Sequence, residues 1–406
     1  MKVQSIVNVI ILSAASMLLG CEGPTKAGKE ARIQANARVN LMGAQIHYDQ
    51  AQQTFRSGQF DRAMREINHA IARYPERGEY YLLKGRIELE THQLEAALKS
   101  FNMALEKNDQ LADAHYYAGI VFQRWSDDEE AYNRYSNAAE LDPSNVQYLL
   151  AAAESLIALG KFADARELIE PRVAYFEHNA ALRQLQAQIA LFEGDPEQAA
   201  MLYSQARLLN PDDDLLLEEL IWAQYAAGMY GRCHDNIKFL QGKLPQQRPD
   251  LMHLEARCLA MMSRGIEARD VYMQLTRLRP ADPVIWVELG TLAWELGDYR
   301  RVAMCSVQMI ALAPHRYEGY MLKGVNERHR GRLDEAVTLF REATSRAPDV
   351  ALPHLLLGQT LEQIGKPKEA LLAYQNAIAA EPGSPEALEL LRRLTDGQHV
   401  TVVPTQ

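Results

Sequence analysis

The chain has 406 residues, 48% of them apolar and 24% charged, so it can bury large cores and is not globally disordered. Its formal net charge is −10 and its basic residues are dispersed, which leaves no basic face for a nucleic acid. The four cysteines, Cys21, Cys233, Cys258 and Cys305, form no CxxC pair and no Cys/His cluster at metal-ligand spacing, which excludes a disulfide framework and a zinc module.

In chain order, Lys2 is followed by an apolar run, with small polar breaks, from Ile6 to Leu19. The run is shorter than the ~20 apolar residues of a membrane-spanning helix and suits the hydrophobic segment of an export signal. It closes on Leu18-Leu19-Gly20-Cys21, which resembles the bacterial lipobox. That resemblance implies a signal peptide over 1–20, cleavage before Cys21, and lipidation of Cys21. Leu19 departs from the Ala or Ser commoner at its position. Glu22 stands where an Asp would signal inner-membrane retention, so the resemblance implies a lipid-anchored protein of the cell envelope, in the outer membrane and facing the periplasm. Several acyl chains, at about 0.8 kcal/mol per buried methylene, anchor stably. Residues 21–43 read as a tether and leading helix, polar and rich in breakers up to Lys29. Lys26, Lys29, Arg32 and Arg38 would either meet anionic headgroups or remain solvated.

An internal period follows. Pro75, Pro143 and Pro211 are 68 residues apart, and Pro314, Pro348 and Pro382 are 34 apart. With that proline at position 32, ten repeats start at 44, 78, 112, 146, 180, 214, 249, 283, 317 and 351 and fill 44–384, with one extra residue near Arg248. Position 8 is small in most repeats (Ala51, Gly85, Gly119, Gly324, Gly358), as are position 20 (Ala63, Ala97, Ala336) and position 27 (Ala70, Ala104, Ala343). Position 24 is large: Ile67, Phe101, Tyr135, Tyr203, Phe340, Tyr374. Two helices approach closely only where one offers a small side chain, and a large residue fills the space between pairs. Glycine at position 15, as at Gly58, Gly160, Gly228, Gly297 and Gly331, breaks the first helix from the second. The proline ends the second helix.

This pattern resembles the tetratricopeptide repeat, with its W-x2-L-G-x2-Y, A-x3-F and P signature. Repeat eight carries Trp286, Leu289, Gly290, Gly297, Tyr299 and Pro314; repeat nine adds Ala336, Phe340, Ala343 and Pro348. The resemblance implies an all-α, right-handed superhelical solenoid of antiparallel helix pairs, whose concave groove binds polypeptides. Departures stand out against it. Pro171 falls inside the second helix of repeat four and should kink or shorten it, and Arg172 replaces a small residue. Repeats six to eight carry Ile221, Cys233, Leu240, Leu275, Val302 and Met309 at small-residue positions, which predicts wider helix spacing and a change of curvature. Ser384 can cap a helix beginning at Pro385, so 385–395 read as a capping helix and 396–406 as a loose tail.

No phosphate loop, nucleophile elbow, zinc-protease motif or dinucleotide fingerprint occurs, so no enzyme, cofactor, metal or small-molecule substrate is expected. His253 and His329 fall on inner-groove positions with no Cys, His or carboxylate at ligand spacing. Cys233, Cys258 and Cys305 read as buried free thiols; a Cys233–Cys258 bridge stays open. The family resemblance places positions 2, 5, 9, 12 and 13 of each first helix on the concave face. In repeats six to nine these include Glu218, Trp222, Tyr225, His253, Arg257, Val287, Trp294, Met321, Val325 and Arg328. Aromatics, Arg and Met are residue types that anchor interfaces. Tyr48, Phe55, Leu82, Arg86, Tyr116 and Arg124 take the same places in earlier repeats. The Lys/Asn/Arg set by which some family members hold a terminal carboxylate is missing. The reading is a membrane-anchored scaffold for protein partners in an envelope assembly or secretion complex. The alternative is an adaptor for cell-wall polysaccharide, since groove aromatics also suit sugars.

Overall fold

The computed structural model describes residues 26–395. Cys21, the expected signal peptide and the tail after 395 lie outside the described residues. The chain divides into two compact units, Met1–Gly194 and Asp195–Gln406. The division falls between the two helices of repeat five. Among the described residues every regular element is helical.

In the first unit, α1 (Lys26–Arg56) packs on α2 (Phe60–Arg73). The pairs α3 (Gly78–Glu90) with α4 (Leu94–Lys107), α5 (Ala112–Arg124) with α6 (Asp128–Leu141), and α7 (Val146–Ala158) with α8 (Phe162–Ile169) follow, and α9 (Ala180–Phe192) closes on α7 and α8. The second unit opens with α10 (Pro196–Leu209). It continues with α11 (Asp214–Ala226) and α12 (Tyr230–Lys243), α13 (Pro249–Met261) and α14 (Gly265–Leu278), α15 (Pro283–Glu295) and α16 (Tyr299–Leu312). Next come α17 (Tyr317–His329) and α18 (Leu333–Arg346), α19 (Ala351–Gln363) and α20 (Pro367–Ala380), then α21 (Pro385–Thr395). In this unit each helix packs against the next in the chain.

Local chemistry explains the breaks. Position 15 has positive φ, as at Gly58 (73°), Gly297 (71°) and Gly365 (77°), and also at His92 (60°), Ser126 (59°) and Ser263 (60°). The following N–H then reaches back to cap the first helix: Gln59 to the Thr54 carbonyl at 2.9 Å, Arg264 to that of Leu259 at 2.9 Å. Acceptors start several helices: the Asp213 carboxylate accepts from the N–H of Leu215 at 3.0 Å, and Asp282 accepts from Val284 at 3.0 Å.

Positions 8 and 24 are matched within one repeat. A β-carbon on Gly119 would lie 2.6 Å from the Tyr135 ring, and one on Gly324 would lie 2.6 Å from Phe340. Position 24 is isoleucine in three of the repeats whose position 8 carries a β-carbon (Ala51 with Ile67, Ala153 with Ile169, Ile221 with Ile237), while repeats five and seven hold a tyrosine opposite an alanine (Ala187 with Tyr203, Ala256 with Tyr272). Repeat eight breaks the match with Gly290 opposite Ser306, and Leu322 of the next repeat fills the gap, 2.6 Å from where a Gly290 β-carbon would sit. The larger side chains of repeats six to eight, Ile221, Cys233, Leu240, Leu275, Val302 and Met309, are all fully buried. Pro171 has the expected effect: α8 has 8 residues where α2 has 14, and it passes into a 3-10 turn over Glu170–Arg172.

Candidate functional site

The ten groove residues predicted in repeats six to nine all lie on α11, α13, α15 and α17 of the second unit. Trp222, on α11, is 49% exposed. Beside it in the helix, Tyr225 lines an open cleft of about 390 Å³ with Arg257, Met261, Tyr272, Val287, Glu288, Thr291 and Glu295. Met261 is 58% exposed, so the cleft offers an apolar lip and a polar floor. Burial raises the pKa of the Tyr225 hydroxyl, which therefore stays a neutral donor.

The floor is organised by a residue outside the predicted set. The Glu288 carboxylate accepts hydrogen bonds from Arg257 Nε at 3.0 Å and from the Tyr272 hydroxyl at 3.0 Å, and pairs with His253 Nε2. Burial favours protonating Glu288, but the bonds from His253 and Arg257 outweigh it and hold the pKa down to about 2. Burial, with Glu288 adding to it, keeps Tyr272 protonated. His253 thus has a carboxylate partner, contrary to the expectation from sequence. The partner lies 35 residues away and Arg257 lies 31 from it. Those separations are one repeat plus one and one repeat minus three, which a search for local ligand spacing passes over.

The other predicted residues divide. Glu218 is held by Arg248, the residue inserted between repeats, which also binds Asp250 at 2.6 Å. Trp294 is half-buried against Ala293, Val302 and Leu322. Met321 does not line the groove: it is 5% exposed and packed in the core with Val325, Leu355 and Phe340. Val325 is buried likewise. Arg328 donates to the Gln359 side-chain oxygen at 3.2 Å, and burial lowers its pKa. In the first unit Leu82 belongs to the core, and Tyr116 packs among Tyr117, Tyr135 and Tyr148. Cys233 and Cys258 are free, buried thiols in one core cluster, and Cys305 is free and buried. Among the described residues no group of His, Cys, Asp or Glu is placed to hold a metal ion, and no helix is long and apolar enough to cross a membrane.

Tetratricopeptide-repeat family models match residues 128–189 and 328–394, and residues 48–113. The chain is a tetratricopeptide-repeat protein. Among curated proteins it is similar to the mouse Superkiller complex protein 3, with 23% identity over 296 residues, 67% of this chain and 18% of that protein. It is also similar to the mouse Tetratricopeptide repeat protein 8, with 26% identity over 110 residues, 27% of this chain and 21% of that one. The chain thus spans about a fifth of the curated relatives it matches. Solved structures similar to it include a tetratricopeptide repeat protein from Parabacteroides merdae (16% identity, TM-score 0.45, 62% of this chain and 99% of that one). Another is pilF of Pseudomonas aeruginosa (20% identity, TM-score 0.41, 50% and 93%).

Proposed function

We propose that this tetratricopeptide-repeat protein is a lipid-anchored scaffold that binds polypeptide partners in its grooves, within an assembly or secretion complex of the cell envelope. It works by binding and not by catalysis. The observation that carries this reading is the half-exposed Trp222 on the same helix as Tyr225, which lines the cleft with Met261 and Glu288. A large aromatic next to an apolar lip and a hydrogen-bonded floor is what an interface anchor requires. The Arg257–Glu288–His253 network keeps that floor rigid before a partner arrives, which lowers the ordering cost of binding. Support for the anchor comes from the lipobox-like ending at Cys21.

Crosslinking in intact cell envelopes followed by pulldown should recover a specific protein, and Trp222→Ala should weaken its capture by about tenfold or more. Unchanged capture by that variant would move the binding surface elsewhere. Cys21→Ser should release the protein from the membrane fraction; a variant that stays bound would remove the anchor from this reading.

A further inference from the structure

The groove of the first unit holds a guanidinium that lacks a carboxylate. Arg86, on α3, lies between a ring of the preceding repeat and a ring of the following one. Its central carbon stands 5.1 Å from the centroid of Phe55 and 4.8 Å from that of Tyr117. Among the described residues Arg86 makes no ion pair and no side-chain hydrogen bond. Stacking on rings uses the faces of a guanidinium and leaves its five N–H donors along the edge. Such a group is oriented and still unsatisfied.

The same chain contains the satisfied version. Arg257 occupies position 9 of repeat seven, as Arg86 does in repeat two. At position 6 of the following repeat Arg257 meets Glu288, its Nε 3.0 Å from the carboxylate. At the corresponding place Arg86 meets Tyr117. The guanidinium is kept and its internal counter-ion is replaced by a ring. One repeat further, the Arg124 guanidinium reaches, among the described residues, only the Leu89 carbonyl, at 3.5 Å. The neighbouring acid Asp113 is already engaged by the Tyr148 hydroxyl at 2.6 Å.

We propose that Arg86 receives a side-chain carboxylate, an Asp or Glu of a bound polypeptide, while Phe55 and Tyr117 hold the guanidinium in place. The inference rests on reading the grooves as polypeptide-binding surfaces. A planar fork on a carboxylate forms two parallel charge-assisted hydrogen bonds, which a lysine in the same place does not reproduce. A chain terminus is the less suited source. The groove positions around Arg86, which include Gln52, Leu82, Glu90, Tyr116 and Ile120, offer neither the lysine nor the asparagine that terminal carboxylates are held by in this family.

The test uses the full-length protein in detergent and two random dodecapeptide libraries. In one library the peptide carboxy ends are fused to the display scaffold, so only side chains supply carboxylates; in the other they are free. The expected result is enrichment of Asp or Glu at one fixed position in the fused library, lost in Arg86→Met and only partly kept in Arg86→Lys. A synthetic selected peptide should bind Arg86→Met at least about tenfold more weakly. Its Glu→Gln form should bind wild type and Arg86→Met equally, which ties the loss to that pair. Peptides selected without an acidic preference, or with one that survives Arg86→Met, would overturn the Arg86 site and leave the groove reading intact. Enrichment confined to the free-ended library would assign the carboxylate to a chain terminus and overturn the side-chain claim. Failure to select any peptide would count against the groove reading itself, and the Arg86 site with it.

Discussion

Position 15 shows how one backbone requirement outranks side-chain identity. The chain must enter the left-handed region there so that the next N–H can cap the first helix. Glycine does this without steric penalty, whereas an L-residue with a β-carbon gives up roughly 1–2 kcal/mol. His92, Ser126 and Ser263 nevertheless hold φ near 60°, so each of these turns carries strain that the packed pair of helices sustains. Ser263→Gly should therefore stabilise the second unit. Glycine's larger loss of chain freedom offsets part of the relief, which leaves a net gain of about 0.5–1 kcal/mol. A urea melt followed by far-UV circular dichroism should show a higher midpoint for this variant. A lower one would mean that the Ser263 side chain supplies something the backbone does not need. Positions 8 and 24 follow a similar logic in side-chain volume: the ring of Phe340 or Tyr135 fits only because Gly324 or Gly119 offers no β-carbon.

Between elements, the ties that matter run from one repeat to the next. Glu288 on α15 gathers His253 and Arg257 from α13 and Tyr272 from α14. It therefore fastens repeat eight to repeat seven with charge as well as with apolar packing. Its folded-state pKa of about 2 lies below the ordinary glutamate value of 4.5. A depressed carboxylate pKa means that the unfolded chain binds the proton first. The stabilisation is therefore complete at pH values above the unfolded pKa and is lost as the pH falls from about 5 towards 2. At 1.36 kcal/mol per pKa unit the contribution is on the order of 3 kcal/mol. Glu288→Gln should be less stable than wild type at pH 7, and its stability should fall less steeply between pH 5 and pH 2. Amide exchange in α13 and α15, compared for the two proteins across that range, reads the effect where it arises. Parallel pH profiles would show that the network carries no net stabilisation.

Across the whole chain, the helix order is legible in the sequence because it depends on a local code. Small residues, a large one and a proline recur every 34 residues, and each helix pair obeys the same packing rule. The groove is less legible because it depends on contacts between repeats. Met321 has the residue type of an interface anchor, yet it is buried against Leu355 of the following repeat. Glu288 looks like an ordinary solvated acid until the register of the preceding repeat brings it under His253 and Arg257. The division into two compact units is illegible for a related reason: the 34-residue period continues through Gly194 without interruption. A repeat array is stabilised by nearest-neighbour contacts, so a segment that keeps its neighbours can keep its fold. The fragment 195–406 contains its own core, its capping helix α21, and Trp222, Tyr225, Arg257 and Glu288 together. It should fold alone, with a helical circular dichroism spectrum and a cooperative melt, and should retain the partner capture that depends on Trp222. The fragment 26–194 should fold as well, and should retain the acidic-peptide preference that depends on Arg86. Loss of both activities on separation would show that the partner is gripped by the two grooves acting together, and retention of each by its own fragment would show that the protein presents two independent recognition surfaces.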